Sequence, residues 1–366
     1  MKRVGELQGT AGVRGRRRAG EGAGAKIVPV EQAVGLALAH DLTEVRQDGG
    51  KGAAFRRGYV VREEDLPRLR RCGKEHVFIL DLAAEELHED EAAVRLAAAL
   101  CGEGVAPSGR PREGRVDITA ARDGLLQIDG EARYAFNLLG EVMCATLHTD
   151  TLVQRGQRVA GTRAIPLVVR EALVREAVRR AGSGVIAVRE LARPRVGVVV
   201  TGSEVSRGLV HDRFGTLLER KVAALGGGVV GVRFAPDDEG EIAARLLELR
   251  AAGANLLVAT GGMSVDPDDR TRFAADRLGA RDVVYGAAAL PGSMCLVAYL
   301  PGASGEIPLV GLPACALAHE ATVFDLILPR LLAGERLGRR ELAALGHGGL
   351  CLRCEHCDFP RCPFGK

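Results

Sequence analysis

From Pro194 onward the chain alternates between unbroken apolar runs and amphipathic stretches. RVGVVVTGSE, residues 195–204, is a near-continuous apolar run that stops in a glycine and serine loop, and FGTLLERKVAALGGG behind it has helical periodicity and ends in glycines. VVGVRFAPDD repeats the scheme, GEIAARLLELRAAGA supplies the next helix, and NLLVATGG a third strand. Strands that are apolar on both faces and alternate with helices predict an α/β domain: a three-layer, doubly wound, mostly parallel sheet. In such sheets ligands bind beyond the carboxyl ends of the strands.

Before Pro194 the pattern is mixed α and β. PVEQAVGLALAHDLTEV places Val30, Ala33, Val34, Ala37, Leu38 and Leu42 on one helical face and predicts an amphipathic helix. EEDLPRLRRCGKEHVFILD reads as a short helix and a strand, and residues 83–101 as a further helix closed by Gly102. RVDITAARDGLLQIDGEARYAFN holds two alternating runs broken by Asp123 and Gly124, a hairpin signal. The expected division is a flexible basic N-terminus (1–25), a mixed α/β region (26–193), the parallel-sheet domain (194–335) and a cysteine-rich tail (336–366).

Composition narrows the function classes. With 366 residues the chain is long enough for two or three domains, each with its own core. Its 50 basic and 47 acidic side chains leave a formal charge of +3, which gives no reason to expect nucleic acid. The one dense basic run, RGRRR at 14–18, reads as a solvated tail. There is no run of 18 apolar residues and no apolar signal-peptide core, so the expectation is a cytoplasmic protein with no membrane contact.

The chemistry gathers where the three strands end, in TGSE, PDD and TGGMSVDPDD. Gly202, Gly261 and Gly262 would let backbone N–H groups approach an anion, and Thr201, Ser203, Thr260 and Ser264 carry hydroxyls. Carboxylates beside a phosphate would repel it unless a divalent cation sat between them. Glu204, Asp237, Asp238, Asp266, Asp268 and Asp269 therefore point to a phosphorylated ligand held with Mg²⁺. The same residue types also serve as helix caps and turn formers.

These motifs, in this order, resemble the molybdopterin-binding domain shared by molybdenum cofactor biosynthesis proteins, whose signature pairs T-G-x-E on the first strand with (S/T)-G-G-x-S-x-G-x-x-D on the third. The likeness covers residues 194 to about 335. Upstream, VPVEQAVGLALAHDLTEV and GQRVAGTRAIPLVV resemble segments of the molybdopterin molybdenumtransferase family. The resemblance implies insertion of molybdate or tungstate into adenylylated molybdopterin, with Mg²⁺, in a homodimer. Carried over position by position, Glu204, Asp238 (or Asp237) and Asp269 take the acidic catalytic roles. Thr201, Gly202, Ser203, Thr260, Gly261, Gly262, Ser264, Asp266, Gly311, Pro313 and Cys315 line the cofactor.

Three departures weigh against a simple transfer. Asp266 stands where the family has glycine; GKGAAFRRGYVV, with Lys51, Arg56 and Arg57, replaces an acidic (S)-x-M-D-G-Y-A stretch; and the G-L-P-G-N-P-V-S loop has become GLPACALAHE, with Ala314 and Cys315 for Gly-Asn. A non-catalytic carrier or sensor of the cofactor, docking a molybdenum or tungsten enzyme, is therefore the alternative. A third reading has the fold serving another nucleotide, as in the pyrophosphatase or amidase relatives of this domain.

Cys72, Cys101, Cys144, Cys295 and Cys315 are scattered and read as small buried hydrophobes. Cys351, Cys354, Cys357 and Cys362 instead follow C-x2-C-x2-C-x4-C near His347 and His356. Four thiols in a segment too short and polar to fold alone point to a metal, either an iron–sulfur cluster or tetrahedral Zn²⁺.

Overall fold

The computed structural model describes residues 25–45, 51–202, 213–263, 270–302 and 305–366. The first unit runs through β1 (Ala25–Pro29), β2 (Leu42–Val45), β3 (Lys51–Phe55), α1 (Leu66–Arg71) and β4 (His76–Leu80). β1 pairs antiparallel with β4 and β2 with β3, around Val30, Leu38, Phe55, Leu69 and Val77. The amphipathic helix expected from residue 30 does not form. Val30–Gln32 makes one 3-10 turn after Pro29, Gly35 takes a φ of +79°, and Leu38 bridges to Ile79. Val30, Ala33, Leu38 and Leu42 are buried as expected, but Val34 is 42% exposed. Backbone pairing with β4 and β3 buries the stripe that a helix would have buried, and a glycine in the left-handed region ends any helical path there.

The second unit comprises β5 (Glu86–His88), α2 (Glu89–Leu100), β6 (Val105–Arg112), β7 (Arg115–Ala120), β8 (Gly124–Ile128), α3 (Gly130–Asn137), β9 (Val142–Thr146), β10 (Thr151–Val153), β11 (Arg158–Ala164), β12 (Val168–Arg170), α4 (Glu171–Ala181) and β13 (Ile186–Arg189). The helix expected over 83–101 begins only at Glu89, because Glu86–His88 pairs with β12 instead. The expected hairpin at Asp123 and Gly124 is also absent. β7 pairs with β6 and β11, and β8 with β10 and β13. A Cβ on Gly124 would stand 2.1 Å from the Arg189 carbonyl oxygen, so this glycine serves a close strand approach rather than a tight turn.

The third unit holds β14 (Arg195–Thr201), α5 (Phe214–Ala223), β15 (Gly228–Ala235), α6 (Glu239–Ala251), β16 (Leu256–Thr260), α7 (Thr271–Arg277), β17 (Arg281–Tyr285), β18 (Leu296–Leu300), β19 (Ile307–Leu312), α8 (Val323–Leu332) and α9 (Arg339–Ala344). Its strands form one sheet in the order β15-β14-β16-β19-β18-β17. The first four are parallel, β18 runs antiparallel to β19, and β17 pairs antiparallel with β18. Val196, Val198 and Val200 face a core with Leu218, Val222, Phe324 and Ile327, and Val199 faces another with Ile242, Leu246 and Ala274. Burial on both faces is why these strands read as unbroken apolar runs. Register aligns Thr201 with Ala235 and Thr260 with Leu312, bringing four carboxyl ends to one edge.

The tail packs onto this unit. Leu337 and Leu342 join its core, Phe364 is buried, and Cys351 donates its N–H to the Leu290 carbonyl at 2.8 Å. Among the described residues no helix is long and apolar enough to cross a membrane.

Candidate functional site

The site is built where β14 and β16 end side by side. Thr201 and Thr260 are the last residues of their strands, and both are buried. The Thr201 hydroxyl donates to the Thr260 carbonyl at 3.1 Å and lies 3.5 Å from the Thr271 hydroxyl. Thr271, the first residue of α7, donates in turn to the Gly261 carbonyl at 2.9 Å. The three threonines thus clamp the turn that leaves β16.

That turn tolerates only glycine. Gly261 and Gly262 take φ of +88° and +55°, a region L side chains rarely enter. A Cβ on Gly261 would lie 2.6 Å from the Thr201 carbonyl oxygen, and one on Gly262 would lie 2.8 Å from the Thr271 hydroxyl. The Thr260 hydroxyl is fully buried and has no hydrogen-bond partner among the described residues. An orphaned buried hydroxyl beside a backbone kept free of side chains is a place where a polar ligand group or water restores a lost bond.

Neighbouring strands supply the rim. Gly202 donates its N–H to the Ala235 carbonyl at 3.1 Å, which ties the end of β14 to the end of β15. After β15, Asp238 caps α6, its Oδ1 accepting the Gly240 and Glu241 N–H groups, both at 2.9 Å. This is the capping role its residue type allows, and the helix dipole adds to it. Asp237 precedes it in the same loop. Gly311, near the end of β19, has a different reason to be glycine: a Cβ there would meet Met263 Cε at 2.7 Å. Met263 is buried, and its carbonyl accepts the Tyr285 hydroxyl at 2.7 Å. Pro313 precedes the 3-10 turn Ala314–Leu317, which carries the half-buried Cys315. Burial pushes the Cys315 thiol up from its ordinary value, favouring the protonated form over a metal-binding thiolate. Burial likewise pushes Cys101 up to about 11 and Cys144 and Cys295 up to about 12, in keeping with packing roles.

Thr201, Gly202, Thr260, Gly261 and Gly262 come together, and Gly311 joins them through Met263. Ser203, Glu204, Ser264, Asp266, Asp268 and Asp269 lie outside the described residues. Sequence reasoning missed Thr271, Met263 and Tyr285. A threonine opening the helix after the acidic loop was a readable sign for Thr271, whereas the other two act through contacts no local pattern encodes.

The four tail cysteines line a single cleft with His319, Glu320, Glu355 and Asp358. Among the described residues, no group of three or more His, Cys, Asp or Glu side chains already stands close enough to hold a metal ion.

Comparison with known proteins fits this placement. Residues 197–333 match the family described as "Probable molybdopterin binding domain", and residues 27–81 match a domain of unknown function, DUF8806. A CinA-like protein of Mycobacterium sp. (strain MCS) is 34% identical over 90 residues, 25% of this chain and 21% of that protein. A CinA-like protein of Mycobacterium leprae (strain TN) is 34% identical over the same length and shares. The chain thus spans about a fifth of the length of these curated relatives. Among solved structures, the tungsten cofactor synthesizing protein MoaB from Pyrococcus furiosus is 18% identical, with a TM-score of 0.31, over 39% of this chain and 98% of that one. A molybdenum cofactor biosynthesis protein from Pyrococcus furiosus is 14% identical, with a TM-score of 0.25, over 89% of this chain and 67% of that one. The expectation of an α/β molybdopterin-binding domain in the third unit stands on the family match.

Proposed function

We propose that this chain is a molybdopterin-binding protein of molybdenum or tungsten cofactor biosynthesis. In this reading it takes adenylylated molybdopterin at the carboxyl ends of β14 and β16 and inserts molybdate or tungstate into it, releasing AMP. The observation that carries the reading is the turn at Thr260, Gly261 and Gly262, shut to side chains and lined by a buried, unpartnered hydroxyl, inside residues that match the molybdopterin-binding family. Bare glycine backbone can approach a phosphate as closely as its N–H groups require.

Ser203, Thr260 and Ser264 would offer hydroxyls to the phosphate side, while Thr201, whose O–H donates to the Thr260 carbonyl, holds the turn beneath them. Gly202, Asp266, Gly311, Pro313 and Cys315 complete the walls. Mg²⁺, when bound, supplies the positive charge that lets Glu204, Asp238 and Asp269 sit beside the phosphates, and three carboxylates are the hard oxygen donors this ion takes. Asp238 already commits Oδ1 to its helix cap, so Oδ2 is what it offers the ion. The protein's own contribution is positioning and charge neutralisation. A homodimer, and hand-over of the product to a molybdenum or tungsten enzyme, belong to the same reading.

The resemblance of this domain to pyrophosphatase or amidase relatives supports a second reading, in which the same loops serve another nucleotide. The replacement of Gly-Asn by Ala314 and Cys315 supports a third, a carrier that binds the pterin without completing it. Anaerobic incubation with adenylylated molybdopterin, Mg²⁺ and molybdate separates them. AMP release with protein-bound molybdenum is the expected result. Retention of intact pterin with neither would make the protein a carrier, and failure to bind pterin while hydrolysing a nucleotide pyrophosphate would favour the second reading.

A further inference from the structure

The tail presents an ordered path without a core. Between Cys351 and Pro363 no residue is fully buried and no helix or strand forms, so little hydrophobic packing holds this stretch in place. Its two ends are fixed: Cys351 donates its N–H to the Leu290 carbonyl, and Phe364 is buried with its ring against Phe359 at 6.1 Å. A segment tethered at both ends, in which Phe359 on Phe364 is the aromatic contact and no side chain is fully buried, gains order most readily from a cross-link.

The local backbone is already shaped for one. Arg353 takes a φ of +54°, rare for a side chain of its kind, and its N–H donates to Cys351 Sγ at 3.5 Å. An amide N–H aimed at the first sulfur of a C-x2-C pair stabilises a thiolate there, and the left-handed residue turns the chain so that the second sulfur can follow. Cys354 and Cys357 are exposed on the rim, and Cys362 is half-buried near the anchored end.

The decisive neighbour comes from the body of the molecule. His319, half-buried in the segment that leaves β19, lines the same cleft of about 230 Å³ as all four cysteines. Glu320, Glu355 and Asp358 line it too. Four thiolates around a divalent ion leave an excess of two negative charges, which three nearby carboxylates would oppose. Replacing one thiolate by a neutral imidazole halves that excess. The mixed sulfur and nitrogen set is one that zinc takes tetrahedrally. Cys362 is the sulfur to omit: it is followed by Pro363 and the buried Phe364, so its backbone has the least freedom to turn inward.

We propose that Cys351, Cys354, Cys357 and His319 bind one tetrahedral Zn²⁺, which staples the tail to the segment following β19. Loading closes the cleft, since the exposed Cys354 and Cys357 must turn inward to reach the ion. Its test needs no pterin.

The experiment uses the full chain, reduced and stripped of metal, titrated with Zn²⁺ against a chromophoric chelator and in parallel with Co²⁺. One equivalent of either ion, with a Co²⁺ spectrum of a tetrahedral thiolate site, is expected. Loss of an outer-shell partner alone costs a metal site about 10- to 100-fold in affinity, so His319→Ala is expected to weaken Zn²⁺ binding by at least that factor. Cys354→Ser is expected to abolish it, and Cys362→Ser to leave it unchanged. His319→Ala lies in the body and keeps every thiol, so its folding is checked by circular dichroism independently of the tail. No Zn²⁺ bound by the parent chain overturns the proposal. So does full affinity in His319→Ala, or iron with acid-labile sulfide in anaerobically purified protein.

Discussion

Alanine at Gly261 tests the architecture of the turn most directly, because two separate costs can be assigned to it. The residue takes a φ of +88°, and an L side chain in the left-handed region costs about 1–2 kcal/mol. The new Cβ would also lie 2.6 Å from the Thr201 carbonyl oxygen and 2.8 Å from its hydroxyl, in a region where both neighbours are held by β14. Forcing an extra carbon into a packed site costs about 1–3 kcal/mol. The two together come to about 2–5 kcal/mol. Two controls divide it. Gly279 has a φ of +67° and nothing within 4 Å of where a Cβ would stand, so Gly279→Ala reports the conformational cost alone. In Gly311→Ala the φ is ordinary and the nearest obstacle is the flexible end of Met263, with Leu296 Cβ at 3.0 Å, so the steric cost is partly relieved. The chain has no tryptophan, so urea unfolding is followed by far-UV circular dichroism. The midpoint should fall most for Gly261→Ala, and by more than for Gly279→Ala. Equal shifts for those two would show that the Thr201 contact carries no energy and would refute the account of a turn shut to side chains.

Thr271→Val removes the hydroxyl that donates to the Gly261 carbonyl and should cost about 0.5–1.5 kcal/mol in the same assay; no change would place Thr271 outside the clamp. Asp238→Ala should cost about 0.5–2 kcal/mol through loss of the α6 cap, whereas Asp238→Asn keeps the cap and should lower Mg²⁺-dependent AMP release, so full activity in Asp238→Asn would confine this residue to capping. His88 donates from Nε2 to the Ala39 carbonyl at 2.6 Å and accepts the Asp90 N–H on Nδ1, and burial, with Arg57 nearby, holds its pKa below the ordinary value of about 6.5. The neutral ring's contribution is present above that value and is lost as pH falls through the lowered one; His88→Gln should flatten the stability profile there, and an unaltered acid limb would exclude the ring. Glu89 has the opposite sign: burial raises its pKa despite the Arg163 ion pair at 2.7 Å, so its contribution is greatest below the ordinary carboxylate value and declines as pH rises through the raised one, a slope that Glu89→Gln should remove.

How much of this was legible in the sequence follows from where each element finds its partners. β14, α5, β15, α6 and β16 were readable because each strand is buried on both faces and each helix on one, so composition and periodicity carry the information locally. Residues 30–42 misled because Val30, Ala33, Leu38 and Leu42 satisfy a helical stripe and are indeed buried, yet by a 3-10 turn, a bridge from Leu38 to β4 and the pairing of Leu42 with β3. Asp123 and Gly124 misled for the converse reason. The glycine was needed, but for the Arg189 carbonyl, distant along the chain, rather than for a turn.

The site divides along the same line, and the division says what kind of site it is. Glycine at 261 and 262 could be read because a demand for left-handed backbone falls on one residue type. Thr271 showed only as a helix start, and its bond to the Gly261 carbonyl arises only when α7 returns to the end of β16. Asp238 was legible twice over, as a cap and as an acidic motif residue, and the two need not compete. A carboxylate whose Oδ1 is fixed by two backbone N–H groups is held at the carboxyl edge of the sheet before any ligand arrives. That fixed placement is what an ion-binding carboxylate needs, because less conformational freedom is lost on binding. In the proposed function the cap would position Asp238 for the ion rather than compete with that role. The Mg²⁺ dependence of turnover in Asp238→Asn, beside its unchanged unfolding midpoint, is where the two roles come apart.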